Sequence, residues 1–322
     1  MPDPPVVASR LRPAPDPPSV SPRPSAAQSP GPAQPAADAA GQAAAPRGES
    51  APAAADDEQS RYKGFWADVG ENFPDLGRAR STAQYRYDER WLLRTWLPAL
   101  AGRRLFKTDL WDEAKNTRIL RWAAGEGARA FGVDISPAIV ADAQRGFAQD
   151  GQRLLGVQGD VRALPFRSGS VDAVYSMGTI EHFDDTEGAV REIFRVLRPG
   201  GRAIIGVPNR RDPFLRPLLV VALYYLGLYG YGFEKSYSRP ALRRMLERAG
   251  FEVVAESGIL FIPGWLRMLD LACHAWLRPL AWLTGALCAP FDWLSRRFPV
   301  LRRHGYLIAS VGVRPASEGD AG

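Results

Sequence analysis

Cysteine is scarce in this chain. Cys273 and Cys288, each inside an apolar stretch, are the only two among 322 residues. Two lone thiols exclude a disulfide framework, offer no metal-ligand spacing and fit a reducing compartment, with burial in a core as their plain reading. No run of about 20 clean apolar residues occurs, so a membrane-spanning helix is not expected. The N-terminal stretch also lacks the apolar run of a secretory signal. Residues 1–58 hold Pro, Ala, Ser and Gly with scattered charge and almost no large apolar side chains. Such a segment cannot bury enough surface to offset its ordering entropy, which predicts a disordered tail, dispensable for folding, ahead of an ordered unit at 59–322. A narrower absence bears on chemistry: no glycine stands between Gly102 and Gly125.

What is present suits a sizeable core. Apolar residues make up 46% of the chain, and the net charge is +6. Residues 1–60 carry four arginines against seven acids, so the net charge of the remainder is about +9. A basic body favours an anionic surface, phospholipid or nucleic acid, and composition does not separate the two.

Hydrophobic periodicity predicts helices and strands in alternation. A helix is expected over Tyr87–Leu100, a strand over Arg104–Leu110, a helix over Asp112–Ala124 and a turn at Gly125 and Gly127. A second strand, Phe131–Ser136, leads to a helix from Pro137 capped by Ser136, and Val157 belongs to a third strand. Ala173–Ser176, Thr186–Leu197 and Arg202–Val207 read as strand, helix and strand, then Arg239–Gly250 as a helix, and Phe251–Ser257 and Tyr306–Val313 as the last strands. This alternation predicts an α/β fold, a parallel sheet with helices on both faces. Apolar insertions interrupt it at 214–233 and 258–303.

The run Gly159–Pro208 carries a resemblance. Gly159-Asp160 precedes Leu164-Pro165-Phe166, the buried-strand pattern Val171–Ser176 follows, and a helix closes with Arg195-Val196-Leu197-Arg198-Pro199-Gly200-Gly201. Together with Phe131-Gly132-Val133-Asp134 upstream, this resembles the class I S-adenosylmethionine-dependent methyltransferases, in the branch similar to ubiquinone and menaquinone methyltransferases. The resemblance spans roughly 105–208. It implies a Rossmann-like seven-stranded sheet, mostly parallel with an antiparallel last strand, and S-adenosyl-L-methionine as cofactor. Pro199-Gly200-Gly201 marks the family through a backbone task, the turn into strand five.

Residue by residue, Asp134 at the end of strand two is a ribose acceptor or a surface Asp beside the next helix, and a nicotinamide-binding fold also places an acid there. In the family the acid after strand three lies beside the adenine, which gives that role to Asp160, with the Val161 amide beside it; a plain turn Asp is the alternative. Ile135 and Met177 are expected at the same pocket. Where the family carries a glycine-rich loop after strand one, this chain reads Lys107-Thr108-Asp109-Leu110-Trp111-Asp112-Glu113, a string that similar methyltransferase-like proteins share. Asp109 or Glu113 is then expected at the methionine amino group and Thr108 as a hydroxyl donor; the alternative is a loop that admits no cofactor.

The loop after strand four holds Glu181 and His182, and such loops face the ligand crevice. The imidazole of a histidine such as His182 is chemically suited to proton removal near neutrality, or the ring simply packs over the cofactor. Methyl transfer from a sulfonium is a displacement governed by alignment, so a base matters only for an acceptor that must lose a proton early. In the insertion 258–303, Trp265, Trp276, Trp282 and Trp293 accompany arginines 267, 278, 296, 297, 302 and 303 and only two acids, Asp270 and Asp292. This composition fits a headgroup region and a lipid or lipid-linked acceptor, with an enlarged core or dimer interface as the other reading. The leading expectation is therefore a cytoplasmic methyltransferase, peripheral at the inner face of a membrane, with a hydrophobic small-molecule substrate, no nucleic-acid partner and no metal. A catalytically inactive, membrane-associated methyltransferase-like scaffold is the alternative. A nicotinamide-dependent oxidoreductase is disfavoured by the missing glycine fingerprint, and no Asn-Pro-Pro-Tyr-type motif supports nucleic-acid methylation.

Overall fold

A computed structural model of the chain describes residues 64–66, 68, 70, 73–97, 99–227, 229 and 234–316. The expected tail at 1–58 and its boundary with the folded unit lie outside the described residues.

Seven strands form one sheet in the order β3-β2-β1-β4-β5-β7-β6. They are β1 (Arg104–Lys107), β2 (Arg129–Asp134), β3 (Leu154–Gln158), β4 (Val171–Met177), β5 (Leu197–Pro208), β6 (Glu252–Ile259) and β7 (Leu307–Val313). Strands β1 to β5 run parallel, and β7 is antiparallel to both β5 and β6, between which it lies. The expected α/β sheet with an antiparallel last strand is what forms. Side-chain alternation splits neighbours between the two faces: Leu105 enters one buried cluster and Phe106 the other. Among the helices whose full span lies in the described residues, α1 (Arg80–Trp96), α2 (Trp111–Lys115), α3 (Ile119–Gly125) and α4 (Pro137–Gln149) precede β3. They are followed by α5 (Thr186–Val196), α6 (Arg216–Tyr225), α7 (Arg239–Arg248), α8 (Gly264–Trp276) and α9 (Ala281–Arg297).

Strand order reverses at β1, which has β2 on one side and β4 on the other, so a crevice opens at the carboxyl ends of these strands. Both helices of the 258–303 insertion, α8 and α9, pack against each other and against α1. Of the two, α8 walls the same crevice from the far side, through Arg267, Met268 and Leu271.

Local structure departs from expectation in four places. The first helix starts at Arg80 and ends at Trp96, where Leu97 turns extended ahead of Pro98, a residue that disfavours helical backbone before it. The helix expected over Asp112–Ala124 is broken into α2 and α3, because Arg118 adopts left-handed backbone (φ +57°) and Asn116 is drawn off by Asp112 and Thr82. Strand β5 begins at Leu197, paired with Val171, and the pairing resumes at Ala173 with Arg202. The Arg198–Gly201 stretch is thus a bulge, turned at Gly200 (φ +69°). Of the six arginines in the insertion, Arg267 and Arg302 are buried and four remain exposed.

Candidate active site

The crevice holds a cavity of about 190 Å³. Each strand end contributes to its wall because a strand that stops at the sheet edge projects its next residues into the crevice. Thr108 and Asp109 follow β1, Asp134 and Ile135 close β2, Gly159, Asp160 and Val161 follow β3, and Met177 closes β4. Glu181 and His182, on a short 3₁₀ turn after β4, complete that side. Nine of the ten residues expected from the sequence are thereby brought to one wall.

Glu113 is the exception. It does not line the cavity; its carboxylate accepts hydrogen bonds from the Leu120 and Arg121 amides (2.8 and 3.2 Å) and so closes the start of α3. Burial pushes its carboxyl up to about 7.

The loop that replaces the glycine-rich turn is held by its own side chains. Lys107 is fully buried and donates to the Asp109 backbone oxygen and carboxylate (3.1 and 2.9 Å), with Asp112 at 3.6 Å. Burial alone would lower its pKa, but Asp109, Asp112 and Glu113 outweigh that and raise it, so the ammonium stays charged. Thr108 Oγ1 lies 2.8 Å from Ser176 and 3.1 Å from Thr179, whose hydroxyl donates to Asp109 Oδ2 at 2.8 Å. The loop is thus rigid without glycine, and its backbone reaches the cavity.

Asp134 accepts from the Leu110 amide and the Ser136 amide, both at 2.9 Å, one on each oxygen. Burial still pushes its carboxyl up to about 7, against those two amide bonds. Asp160 is gripped by Arg162, through the Arg162 amide (2.8 Å) and guanidinium (2.6 Å). Its carboxylate is therefore not offered to the cavity alone, as expected for an adenine acceptor, but shared with a neighbouring cation. Glu181 is buried, its Oε2 has no hydrogen-bond partner, and burial followed by the nearby Glu234 carboxylate holds its carboxyl well above the usual range. His182 stacks edge-on to Trp66, ring centroids 4.9 Å apart.

The opposite wall escaped the sequence pattern. It includes Tyr85 from α1, Arg216 from α6, Arg267, Met268 and Leu271 from α8, and Tyr229, Glu234 and Tyr306 from connecting loops. Arg216 forms a buried ion pair with Glu234, which also accepts from the Tyr229 hydroxyl at 2.9 Å. A lone arginine inside an apolar run, as in Phe214-Leu215-Arg216 or Trp265-Leu266-Arg267, was the available signal, and by composition it reads equally well as a surface residue. Glu181, His182 and Glu234 also bring one ligand-type atom each within 4.8 Å of one another, a grouping hidden by their separation in the chain where no metal site was expected.

Three carboxylates at the ends of successive strands, a hydroxyl-rich loop and a partly apolar wall suit a cationic nucleoside-like group: acids for ribose hydroxyls and for positive charge, Ile135 and Val161 for a flat base. Comparisons with known proteins agree with this chemistry. Residues 114–205 match the family described as "Methyltransferase domain". A demethylmenaquinone methyltransferase of Thermus thermophilus is 38% identical over 146 residues, 39% of this chain and 65% of that one. A ubiquinone biosynthesis O-methyltransferase of Xanthomonas axonopodis pv. citri is 28% identical over 160 residues, 48% of this chain and 66% of that one. The chain spans about a quarter to two thirds of the length of the curated relatives it matches. In fold it is similar to the methyltransferase bound to the Haloferax volcanii Trm112 activator, with TM-score 0.52, 20% identity, and 79% of this chain and 96% of that one covered.

Proposed function

From the membership of this chain in the class I S-adenosylmethionine-dependent methyltransferases, we propose that it methylates a hydrophobic or lipid-linked small molecule at a membrane surface. The observation that carries the cofactor half is the convergence of Asp109, Asp134 and Asp160 on one cavity at the carboxyl ends of β1, β2 and β3. Asp134 would hold the ribose hydroxyls, Asp109 the methionine amino group, and Val161 with Ile135 the base. When bound, S-adenosylmethionine supplies an electrophilic methyl group on a sulfonium. The chain's own task is alignment: Met177, Gly178 and Thr179 shape the floor, while Trp66 and Phe183 exclude water beside His182. His182 would take a proton from an acceptor hydroxyl, and Glu181, whose carboxyl burial and then Glu234 hold well above the usual range, would offer a hydrogen bond beside it.

The acceptor half is supported by the wall of Leu260, Met268 and Leu271 and by relatives named for quinone biosynthesis. A membrane surface is supported by four exposed tryptophans, Trp265, Trp276, Trp282 and Trp293. No helix among the described residues is long and apolar enough to cross a bilayer. Calorimetric titration with S-adenosylmethionine, followed by mass spectrometry of lipid extracts from cells with and without the gene, tests the two halves in turn. Saturable binding and loss of a one-methylene mass increment in the deletion strain are expected. Failure to bind cofactor would leave a non-catalytic scaffold.

A further inference from the structure

Arg267 is a buried cation without a counter-ion. It lies on α8 at 7% exposure and lines the cavity on the wall opposite the strand ends. No described residue forms an ion pair or a side-chain hydrogen bond with it, and its Nη1 is wholly enclosed and unpartnered. The acids within reach are engaged elsewhere. Asp270, one turn along the same helix, accepts from the Ser81 amide (2.8 Å) and the Thr284 hydroxyl (3.0 Å). Asp112 accepts from Asn116 (2.7 Å) and lies 3.6 Å from Lys107.

A second guanidinium lines the same cavity and shares an aromatic neighbour with it. Arg216, 2% exposed, lies 3.9 Å above the Tyr306 ring, and Arg267 lies 5.6 Å from the same ring and 5.2 Å from that of Tyr85. Arg216 is paired with Glu234, yet its Nε and Nη1 have no partner. An unpaired cation withdrawn from water is costly, several kcal/mol even after relaxation. Aromatic faces offset only part of that cost. A guanidinium held in this way presents a planar fork matched to a carboxylate or a phosphate. Beside it Leu260, Met268 and Leu271 are apolar.

We propose that Arg267, aided by Arg216, binds the oxyanion, carboxylate or phosphate, of an acceptor whose body is apolar. The cavity is thereby divided, with acids at the strand ends for a cationic cofactor and arginines on the inserted helix for an anionic acceptor. This inference rests on the methyltransferase reading, since it assigns the wall opposite the cofactor.

The test uses the full-length protein saturated with S-adenosylhomocysteine and titrated calorimetrically with decanoate, decyl phosphate and decanol. Both anions, or one of them, should bind at least roughly tenfold more tightly than decanol, the scale of one charged hydrogen-bonded contact. The stronger of the two identifies carboxylate or phosphate as the source. Arg267→Gln should remove that preference and Arg267→Lys should keep part of it, while affinity for S-adenosylhomocysteine stays within about twofold of wild type. Equal binding of decanol, no binding of either anion, or an unchanged preference in Arg267→Gln overturns the proposal. So does a parallel loss of S-adenosylhomocysteine affinity in that variant, which would assign Arg267 to the carboxylate of the cofactor itself. The wild-type comparison of anion with alcohol stands even if a variant folds poorly. Should the wild type not bind S-adenosylhomocysteine at all, the same probes titrated alone separate failure of the cofactor reading from failure of the anion site.

Discussion

Asp134 sits at the end of β2 with a carboxyl that burial pushes up to about 7. Because the folded value lies above the ordinary 3.8, the contribution of this group to stability is fully present below the unfolded value and lost as pH rises through about 7. Ribose hydroxyls donate to the ionised form, so cofactor binding should release that proton. Affinity for S-adenosylmethionine should therefore rise between pH 6 and pH 8 in the wild type. Asp134→Asn should flatten that slope and weaken binding at pH 8 by about 1–3 kcal/mol. Calorimetry at three pH values decides this, and parallel slopes in the two proteins would remove Asp134 from the cofactor site. Glu113 gives the converse. Its two amide bonds close the start of α3, so Glu113→Ala should lower stability by about 1–2 kcal/mol in denaturant unfolding and leave cofactor affinity unchanged. The contrast shows what was legible. Thr108, Asp109, Asp134 and Asp160 could be placed because they follow strands whose apolar patterns are plain. Glu113 was misplaced because the break at Asn116 depends on Thr82, a partner 34 residues away that no local pattern reveals. Arg216 and Arg267 were hidden for the same reason, since their burial comes from α1 and from Tyr306.

At the scale of elements, the insertion is held to the sheet by a buried clasp between α1 and the 3₁₀ turn after α9. Arg302 Nε donates to Asp88 Oδ1 at 2.8 Å, Asp88 Oδ2 accepts from the Leu260 amide at 3.0 Å, and the guanidinium lies 4.4 Å from the Trp91 ring. Leu260 itself is in left-handed backbone (φ +60°), where a leucine is strained, so the bond from Asp88 is part of what fixes the chain as it leaves β6. Both charged side chains are essentially inaccessible, and burial pushes the Asp88 carboxyl up to about 6 although Arg302 opposes it. Removing one partner strands the other. Arg302→Met should destabilise the protein by about 3–5 kcal/mol, whereas the double variant Asp88→Asn with Arg302→Met should recover part of the loss. Equilibrium unfolding in urea measures both, and an Arg302→Met protein as stable as wild type would show that packing alone seats the insertion. Periodicity did identify most helices and strands of this unit. It did not show that the insertion closes the cavity, because the apolar content of 258–303 is the same whether its helices face a core, a ligand or a bilayer.

Across the whole molecule, the exposure of the aromatic and basic groups sets the core reading aside for the tryptophans. Trp265 and Trp276 are 11 residues apart on α8, as are Trp282 and Trp293 on α9, a spacing of about three turns that puts each pair on one helical face. All four are more than half exposed, so they are not core. Arg278, Arg296, Arg297 and Arg303 are exposed with them, while Arg267 and Arg302 turn inward and add nothing to the surface charge. Arg296 is further tied to Asp292 at 2.7 Å and lies 3.8 Å from the Tyr87 ring, which leaves Arg278, Arg297 and Arg303 as the cations best placed to meet a headgroup. Each such residue near an anionic bilayer contributes on the order of 1 kcal/mol, and buried indole surface adds to it. Association should then be peripheral and weaken as salt rises from about 0.05 to 0.5 M, since the screening length shrinks below the spacing of the contacts. Sedimentation with phosphatidylglycerol-containing vesicles against phosphatidylcholine alone provides the measurement, with the variant Trp282→Ala, Arg297→Glu, Arg303→Glu as comparison. The wild type should pellet with anionic vesicles at low salt and the variant should stay in the supernatant. A wild type that remains soluble under those conditions, or a variant that pellets equally, would mean that the tryptophan faces meet another protein surface, and the acceptor would then have to reach the cavity from solution.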